Sequence, residues 1–467
     1  MPFLAQAFCT FVPMNGLIQE DTIVALSTPP GKGALALIRI SGPKAISIAA
    51  EICPKTPVAT LPSHTARFAR IVAGTEVVDE AVVTLFKAPN SFTKEDVVEF
   101  SCHGSPYIIQ ETLHLILSKG ARMANPGEFT FRAYLNGSMD LAQAEAVADL
   151  ISSESRLAHN LAMNQMRGGF SGQLKALRLQ MLDFAALVEL ELDFSEEDVE
   201  FADRTRLRAF VLQMQVEIQT LAKSFSLGNA ILHGIPTAII GKPNAGKSTL
   251  LNALLNDSRA IVSEIAGTTR DVIEDRLFLK GAEFRLMDTA GLRETRDSIE
   301  QQGIARSWNA IEKARVIILV FDASADAPKD MLAWVEKELI PRKNPEAGVL
   351  LIANKVDLLS DVEFDSSIFP LSALNRSGLD KLEEAMIQAA GILENQGTLV
   401  SSARHQQALL QTNEYLTRVL HAIDTHLGTE LLAEEMRAAM YELGSITGDI
   451  SNEEVLGNIF GKFCIGK

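Results

Sequence analysis

The stretch GKPNAGKS, residues 241–248, constrains this chain more tightly than any other. It fits the spacing G-x-x-x-x-G-K-[ST], follows the apolar run PTAIIG and leads directly into the helix-forming TLLNALL. A strand, a glycine-bearing turn and a helix start in that order build a cradle of backbone N–H groups, to which the helix N-terminus adds positive partial charge. In such a cradle Lys247 reaches β- and γ-phosphates and the Ser248 hydroxyl is suited to ligate Mg²⁺. The geometry calls for a parallel α/β sheet. The later runs FRLMDTA, ARVIILVFDAS and GVLLIANKVD fit one, because strands buried on both faces read as near-continuous apolar stretches.

Further signals follow in order. DTAG (288–291) ends one strand, NKVD (354–357) ends another, and SAL (372–374) comes after it. Asp288 stands where Mg²⁺ is held through water, and the Asp357 carboxylate can accept two hydrogen bonds from the N1 and exocyclic amino groups of guanine. This ordered set resembles the G1, G3, G4 and G5 motifs of the translation-factor-like GTPases. On that resemblance the nucleotide lies against Asn244, Ala245, Gly246, Lys247, Ser248 and Thr249. Asp288, Thr289, Ala290 and Gly291 form G3, Asn354, Lys355 and Asp357 form G4, and Ser372, Ala373 and Leu374 form G5. Between G1 and G3, IVSEIAGTTRD (261–271) supplies the G2 switch, with Thr269 as the Mg²⁺ ligand. Where Ras-like enzymes place a water-orienting Gln this chain has Leu292, which has no hydrogen-bonding group, and Arg270 is a weak candidate for an in-cis arginine finger. Asn244 and the Gly267-Thr268-Thr269 switch resemble GTPases that bind K⁺ beside the phosphates. A monovalent cation there supplies the charge that an arginine otherwise brings.

The textures along the chain divide it into parts. Residues 1–20 read as an extension, with Met14 as an alternative start, and 21–138 as an α+β domain of short strands, Pro/Gly turns and one helix at SPYIIQETLHLILSKG. Helical periodicity occupies 139–230, with Asp140 as an N-cap, and returns over 396–467. The α/β segment 231–395 is therefore an insertion in a helical domain. No run is long and apolar enough to span a membrane, and four scattered cysteines without a C-x-x-C pair fit a reducing cytoplasm. The net charge of -16 argues against non-specific coating of nucleic acid, and eight carboxylates between Glu189 and Asp203 would repel phosphate. The terminal FCIGK is a poor lipidation signal, since Lys467 does not suit C-a-a-X and no polybasic run precedes it.

Beyond the GTPase set, DTIVALSTPPGKGALALIRISG, NSFTKEDVVEFSCHG, ANPGEFTFRAYLNGSMDLAQAEAVADLI and FCIGK resemble the MnmE (TrmE) family of tRNA-modification GTPases, over 21–467. The resemblance implies a multidomain α+β and α/β chain: an N-terminal tetrahydrofolate-binding-like α+β domain, and a helical domain interrupted by an inserted P-loop, Ras-like G domain. It implies a cytoplasmic homodimer that joins FAD-dependent MnmG in a heterotetramer and modifies C5 of the wobble uridine (U34) of tRNA. The added group is carboxymethylaminomethyl or aminomethyl. The implied cofactors are GTP, Mg²⁺, K⁺ and 5,10-methylenetetrahydrofolate or a 5-formyltetrahydrofolate analogue, with FAD on the partner and no membrane.

Carried over residue by residue, the K⁺ contacts fall on Asn244, Ser263, Ile265 and Thr268, within a switch that also holds Glu264, Ala266 and Gly267. The water-positioning carboxylate falls on Glu300, which fits the missing Gln. Folate anchoring falls on Arg39, Glu99 and Lys467. Ser138 stands where many members carry a basic residue, a departure that bears on how the folate tail is held. Cys464 has two open roles, as nucleophile toward the one-carbon unit or as a packing or proton-shuttling thiol. A second reading, a ribosome-assembly GTPase of the Era or Der type, would add a KH-like GXXG domain after the G domain, and the flanking helices show none.

Overall fold

Alternation of apolar and polar side chains sets the first of two sheets. The computed structural model describes residues 21–193, 204–257, 275–287, 308–359, 362–392, 397–450, 453–461, 463 and 466. The expectations for 1–20, Ser263, Glu264, Ile265, Ala266, Gly267, Thr268, Thr269, Asp288, Thr289, Ala290, Gly291, Leu292, Glu300, Cys464 and Lys467 lie outside the described residues. Contacts divide the chain into two units, 1–148 with 444–467, and 149–443.

In the first unit six strands, β1 (Ile23–Leu26), β2 (Leu35–Ser41), β3 (Thr65–Ala73), β4 (Glu76–Phe86), β5 (Val97–His103) and β6 (Arg122–Met123), form a sheet of order β3-β4-β5-β2-β1-β6. All neighbours are antiparallel except β1 and β6. Ile38, Ile40, Val83, Val98 and Phe100 point to the core side, where helices α1 (Ala45–Ile52) and α2 (Pro106–Ser118) bury them. Side chains at the intervening positions, Arg39 and Glu99 among them, face the other way.

Helix α3 (Glu128–Leu135) carries a buried charge cluster. The Arg122 guanidinium forks onto Glu128 at 2.7 and 2.6 Å and donates from Nε to Asp21 at 2.6 Å, while Arg132 donates to Asp21 at 2.5 Å and to Glu128 at 3.0 Å. Burial pushes the Glu128 carboxyl up, but the Arg122 fork and the Asn125 N–H outweigh it and hold its pKa below 4.5. Asp21 follows the same balance, burial against Arg132 and Arg122, and also ends low.

The expected cap on α4 (Leu141–Ser152) is present as a reciprocal box: Gln143 N–H donates to Asp140 Oδ1 at 3.0 Å, and Asp140 N–H donates to Gln143 Oε1 at 2.9 Å. The helical run does not continue unbroken. A new helix, α5 (Arg156–Met166), starts behind Ser155, whose hydroxyl accepts from Ala158 N–H, and Gly168 at φ +84 separates it from α6 (Gly169–Asp193). At the C-terminal end the helix Glu453–Phe460 packs Phe460 edge-to-face on Phe131 of α3 at 5.1 Å. Gly466 then lies against the edge of β1 and accepts from Ser27 Oγ at 3.2 Å; β6 pairs only with Ile23 and Val24 and leaves that part of the edge open.

In the second unit the long helix α7 (Arg204–His233) packs along Ala403–Asp424, and α7 delivers the chain to the second sheet. Its strands are β7 (Ile235–Ile240), β8 (Asp275–Leu279), β9 (Ala282–Met287), β10 (Val316–Asp322), β11 (Gly348–Asn354) and β12 (Ile368–Pro370), in order β12-β11-β10-β7-β9-β8. All neighbours are parallel except β8 with β9. Successive residues of β10 go to opposite cores: Val316, Ile318 and Val320 to one side, Ile317, Leu319 and Phe321 to the other. That two-sided burial is why these strands read as unbroken apolar runs.

Glu128→Gln would leave Arg132, 5% exposed, without its buried partner, and should cost about 3 kcal/mol at neutral pH. Both carboxyls titrate low in the folded chain, so their stabilisation is full above their ordinary values of 3.8 and 4.5 and is lost as pH falls through the depressed values. Thermal melts from pH 7 downward should show the gap between wild type and variant widest at pH 7 and narrowing as the pH falls below 4.5. An equal gap throughout would remove the electrostatic account.

Candidate functional site

The phosphate loop leaves β7 where the sheet order turns back, with β10 on one side and β9 on the other, which is where parallel α/β sheets open a crevice for ligands. Two glycines let the loop come close to its neighbours. At Gly241 (φ +146) a Cβ would lie 2.0 Å from the Val320 carbonyl oxygen of β10, and at Gly246 (φ +94) it would lie 2.1 Å from the Asn354 side-chain nitrogen. Neither position can accept a side chain. Helix α8 (Lys247–Asp257) starts at once, so its first N–H groups face the loop.

Asn354 at the end of β11 is the tie. It is 2% exposed, donates from Nδ2 to the Ala245 carbonyl at 2.9 Å and accepts from the Ala373 N–H at 3.0 Å. One amide thus joins the phosphate loop to the loop 372–374, bringing G1, G4 and G5 together. Ser372 is buried, Leu374 is 77% exposed and the Asp357 carboxylate is exposed at the rim. Lys355, in the left-handed region at φ +66, sends its ammonium to Asp322 at 2.5 Å. Burial works to raise the Asp322 carboxyl, and Lys355 with the Ser324 hydroxyl and N–H outweighs it, so its pKa is lowered.

Lys247 Nζ donates to the carbonyls of Gly241 at 2.7 Å and Lys242 at 2.8 Å, and burial lowers its pKa. The ammonium therefore sits inside the curl of the loop, where phosphate oxygens would compete for its N–H groups. Asn244 stands at the rim with φ +65 and an exposed side chain; Ser248 and Thr249 are exposed too. Sequence reasoning missed Asp322 and Asp326, which hold Lys355 and Lys242. Asp322 ends β10 and Asp326 follows it, at the edge where such sheets place their sites, and that was the available signal.

A second group lies in the first unit. Arg39 and Glu99 are register partners on β2 and β5, and Arg39 Nε donates to Glu99 Oε1 at 2.8 Å. Among the described residues Glu99 Oε2 meets no donor. The guanidinium lies 5.7 Å from the ring centroids of both Phe92 and Phe129. Phe92 also lines a cleft of about 460 Å³ that Ser138 helps to form. His103 at the end of β5 is 65% exposed, with Nδ1 2.7 Å from Asp79 Oδ1 and its backbone N–H on the other Asp79 oxygen at 2.9 Å. Cys53 and Cys102 are buried, and burial pushes their thiols up to about 12 and about 11, which makes them poor nucleophiles.

Comparison with known proteins bears on both groups. A family model for the MnmE helical domain matches residues 141–464, and one for the GTP-binding protein TrmE N-terminus matches residues 22–138. A protein of Cytophaga hutchinsonii named tRNA modification GTPase MnmE is 50% identical over 456 residues, covering 96% of this chain and 98% of that one. Its namesake in Flavobacterium psychrophilum is 47% identical over 462 residues, covering 97% and 100%. Among solved structures, the FeoB G-domain from Methanococcus jannaschii is 26% identical and covers 33% of this chain and 96% of its own, with a TM-score of 0.24 that is too low to support a shared fold.

Asn354→Ala would strip partners from a buried carbonyl and a buried N–H at once. A loss of about 2 kcal/mol in stability is expected, together with a fall of at least about tenfold in guanine-nucleotide affinity. Thermal melting and titration with a fluorescent guanine nucleotide read the two effects. Affinity equal to wild type would mean that the loops hold their positions without this tie.

Proposed function

Because this chain belongs to the MnmE family of tRNA modification GTPases, we propose that it is the GTP-hydrolysing subunit of a complex that modifies C5 of the wobble uridine (U34) in tRNA. The observation that carries this reading is the joining of the phosphate loop to the 372–374 loop through Asn354, in a chain that also holds a TrmE-type N-terminal unit. GTP binds with its phosphates in the loop after β7 and its base against Asp357, whose carboxylate matches the paired donors of guanine.

The oxygen-bearing side chains of Asn244 and Ser248, both exposed at the phosphate loop, suit the implied ions. Ser248, exposed at the start of α8, would hold Mg²⁺ with Thr269, and Asn244 at the rim would hold K⁺ with Ser263, Ile265 and Thr268. Bound there, the cations offset charge that develops on the transferring phosphoryl group. Glu300 orients the attacking water, the role that Leu292 cannot fill. With K⁺ held there, two G domains of a homodimer would be drawn together and hydrolysis stimulated.

The N-terminal unit binds a one-carbon tetrahydrofolate, and the polar face at Arg39 and Glu99 supports this reading. Glu99 has an oxygen available to pterin donors, and Phe92 and Phe129 supply aromatic surface beside the guanidinium. On the family resemblance Lys467 would add a further folate anchor, and Cys464 would act either as nucleophile toward the one-carbon unit or as a packing or proton-shuttling thiol. The bound folate supplies the carbon added to the uridine, and MnmG, carrying FAD, completes the complex. Functionally the chain divides into a folate and dimer part at 21–138, helical parts at 139–230 and 396–467, and a GTPase part at 231–395. None of the described helices is long and apolar enough to cross a membrane, and the work is cytoplasmic.

Mass spectrometry of tRNA nucleosides from cells lacking the gene should show the C5-aminomethyl-type uridines gone. The wild-type gene should restore them and an Asp288→Ala copy should not; unchanged nucleosides, with no second copy of the gene, would reject the reading. GTP hydrolysis by the purified chain should also be faster in K⁺ than in Na⁺ at equal ionic strength, and equal rates would remove the cation role of Asn244.

A further inference from the structure

The cleft beside Phe92 carries charge of one sign. Among the described residues His64, Asn90, Ser91, Phe92, Lys94 and Ser138 line it, and no carboxylate does. Two loops make its wall, the turn 91–94 and the loop 136–138 that ends α3, and two hydrogen bonds pin them together. Asn136 Nδ2 donates to the Thr93 carbonyl at 2.7 Å, and Lys94 Nζ donates to the Gly137 carbonyl at 2.6 Å.

Lys94 sits at φ +57, in the left-handed region where glycine is at ease and a lysine is strained. Among the described residues its ammonium makes one hydrogen bond, which engages a single N–H of three and leaves two for an anion in the cleft. The ammonium reaches the carbonyl next to Ser138, whose own short hydroxyl brings no charge. Phe92 forms part of the cleft and lies 5.7 Å from the Arg39 guanidinium, so the cleft and the Arg39–Glu99 pair share an aromatic wall.

We infer that Lys94 is the cation that holds the glutamyl carboxylates of a folate-type ligand in this cleft, supplying the charge that Ser138 does not. The inference rests on the folate reading above. A ligand with its pterin at Glu99 and its carboxylates at Lys94 passes Phe92, against which its central aromatic ring packs. The charge-assisted bond to Lys94 then acts on the tail alone.

Calorimetric titration of the full-length protein with 5-formyltetrahydrofolate, and with 5-formyltetrahydropteroate that lacks the glutamyl group, tests this. Lys94→Gln should weaken the glutamyl ligand roughly tenfold and leave the pteroate unchanged, and adding Ser138→Lys to that variant should restore the loss. Equal weakening of both ligands would make Lys94 a structural residue and overturn the inference, as would no weakening of either. Wild-type protein that binds pteroate and glutamyl ligand equally tightly would also reject the tail site while sparing the folate reading. Wild-type protein that binds neither would reject both.

Discussion

The close approach of the phosphate-loop backbone to β10 and to the Asn354 side chain governs the geometry of the G-domain site. Gly241 lies so near the Val320 carbonyl, and Gly246 so near the Asn354 amide, that a single methyl group at either would force the loop outward. Because the loop is seated this deeply, Asn354 can reach both Ala245 and Ala373, and Lys247 can turn into the curl to meet two carbonyls. The two cores on either side of the sheet hold β10 and β11 rigid enough for those contacts to be made at fixed distance. Loops supply the chemistry here, and the buried strands fix where the loops begin.

The N-terminal unit solves a different problem. Its sheet is covered by helices on one face, so the other face can present polar side chains such as Arg39 and Glu99 at defined spacing. The cost of burying Arg132 and Glu128 is offset by dense pairing with Asp21 and Arg122, which fixes α3 against the start of β1. Gly466 lies at the edge of the same strand, beside Leu26 and Ser27.

Much of this was legible in the chain because the relevant signals are short in range. The runs that became β7, β10 and β11 are nearly continuous apolar stretches, and the Asp140 cap follows from residues three apart. β3 is harder to read, since Arg67 and Arg70 interrupt its pattern and it lies at the edge of the sheet, where charge is tolerated. The helical run after Asp140 broke at Ser155 and Gly168 because a hydroxyl cap and a left-handed glycine outweighed a periodicity that continued across them.

Local sequence carries the order of the nucleotide motifs, the strand–loop–helix that bears them, and the family to which both parts of the chain belong. Tertiary structure alone decided which distant residues would meet. Asn354 crosses 109 positions to hold Ala245, and Arg39 crosses 60 to face Glu99. Lys94 crosses 43 to reach the carbonyl beside Ser138, and Ser27 crosses 439 to meet Gly466. Periodicity and turn chemistry act over a few residues, whereas strand register and loop closure are set by how whole elements pack. For that reason the chemistry of Lys94 became apparent only once the loop 136–138 was seen beside it.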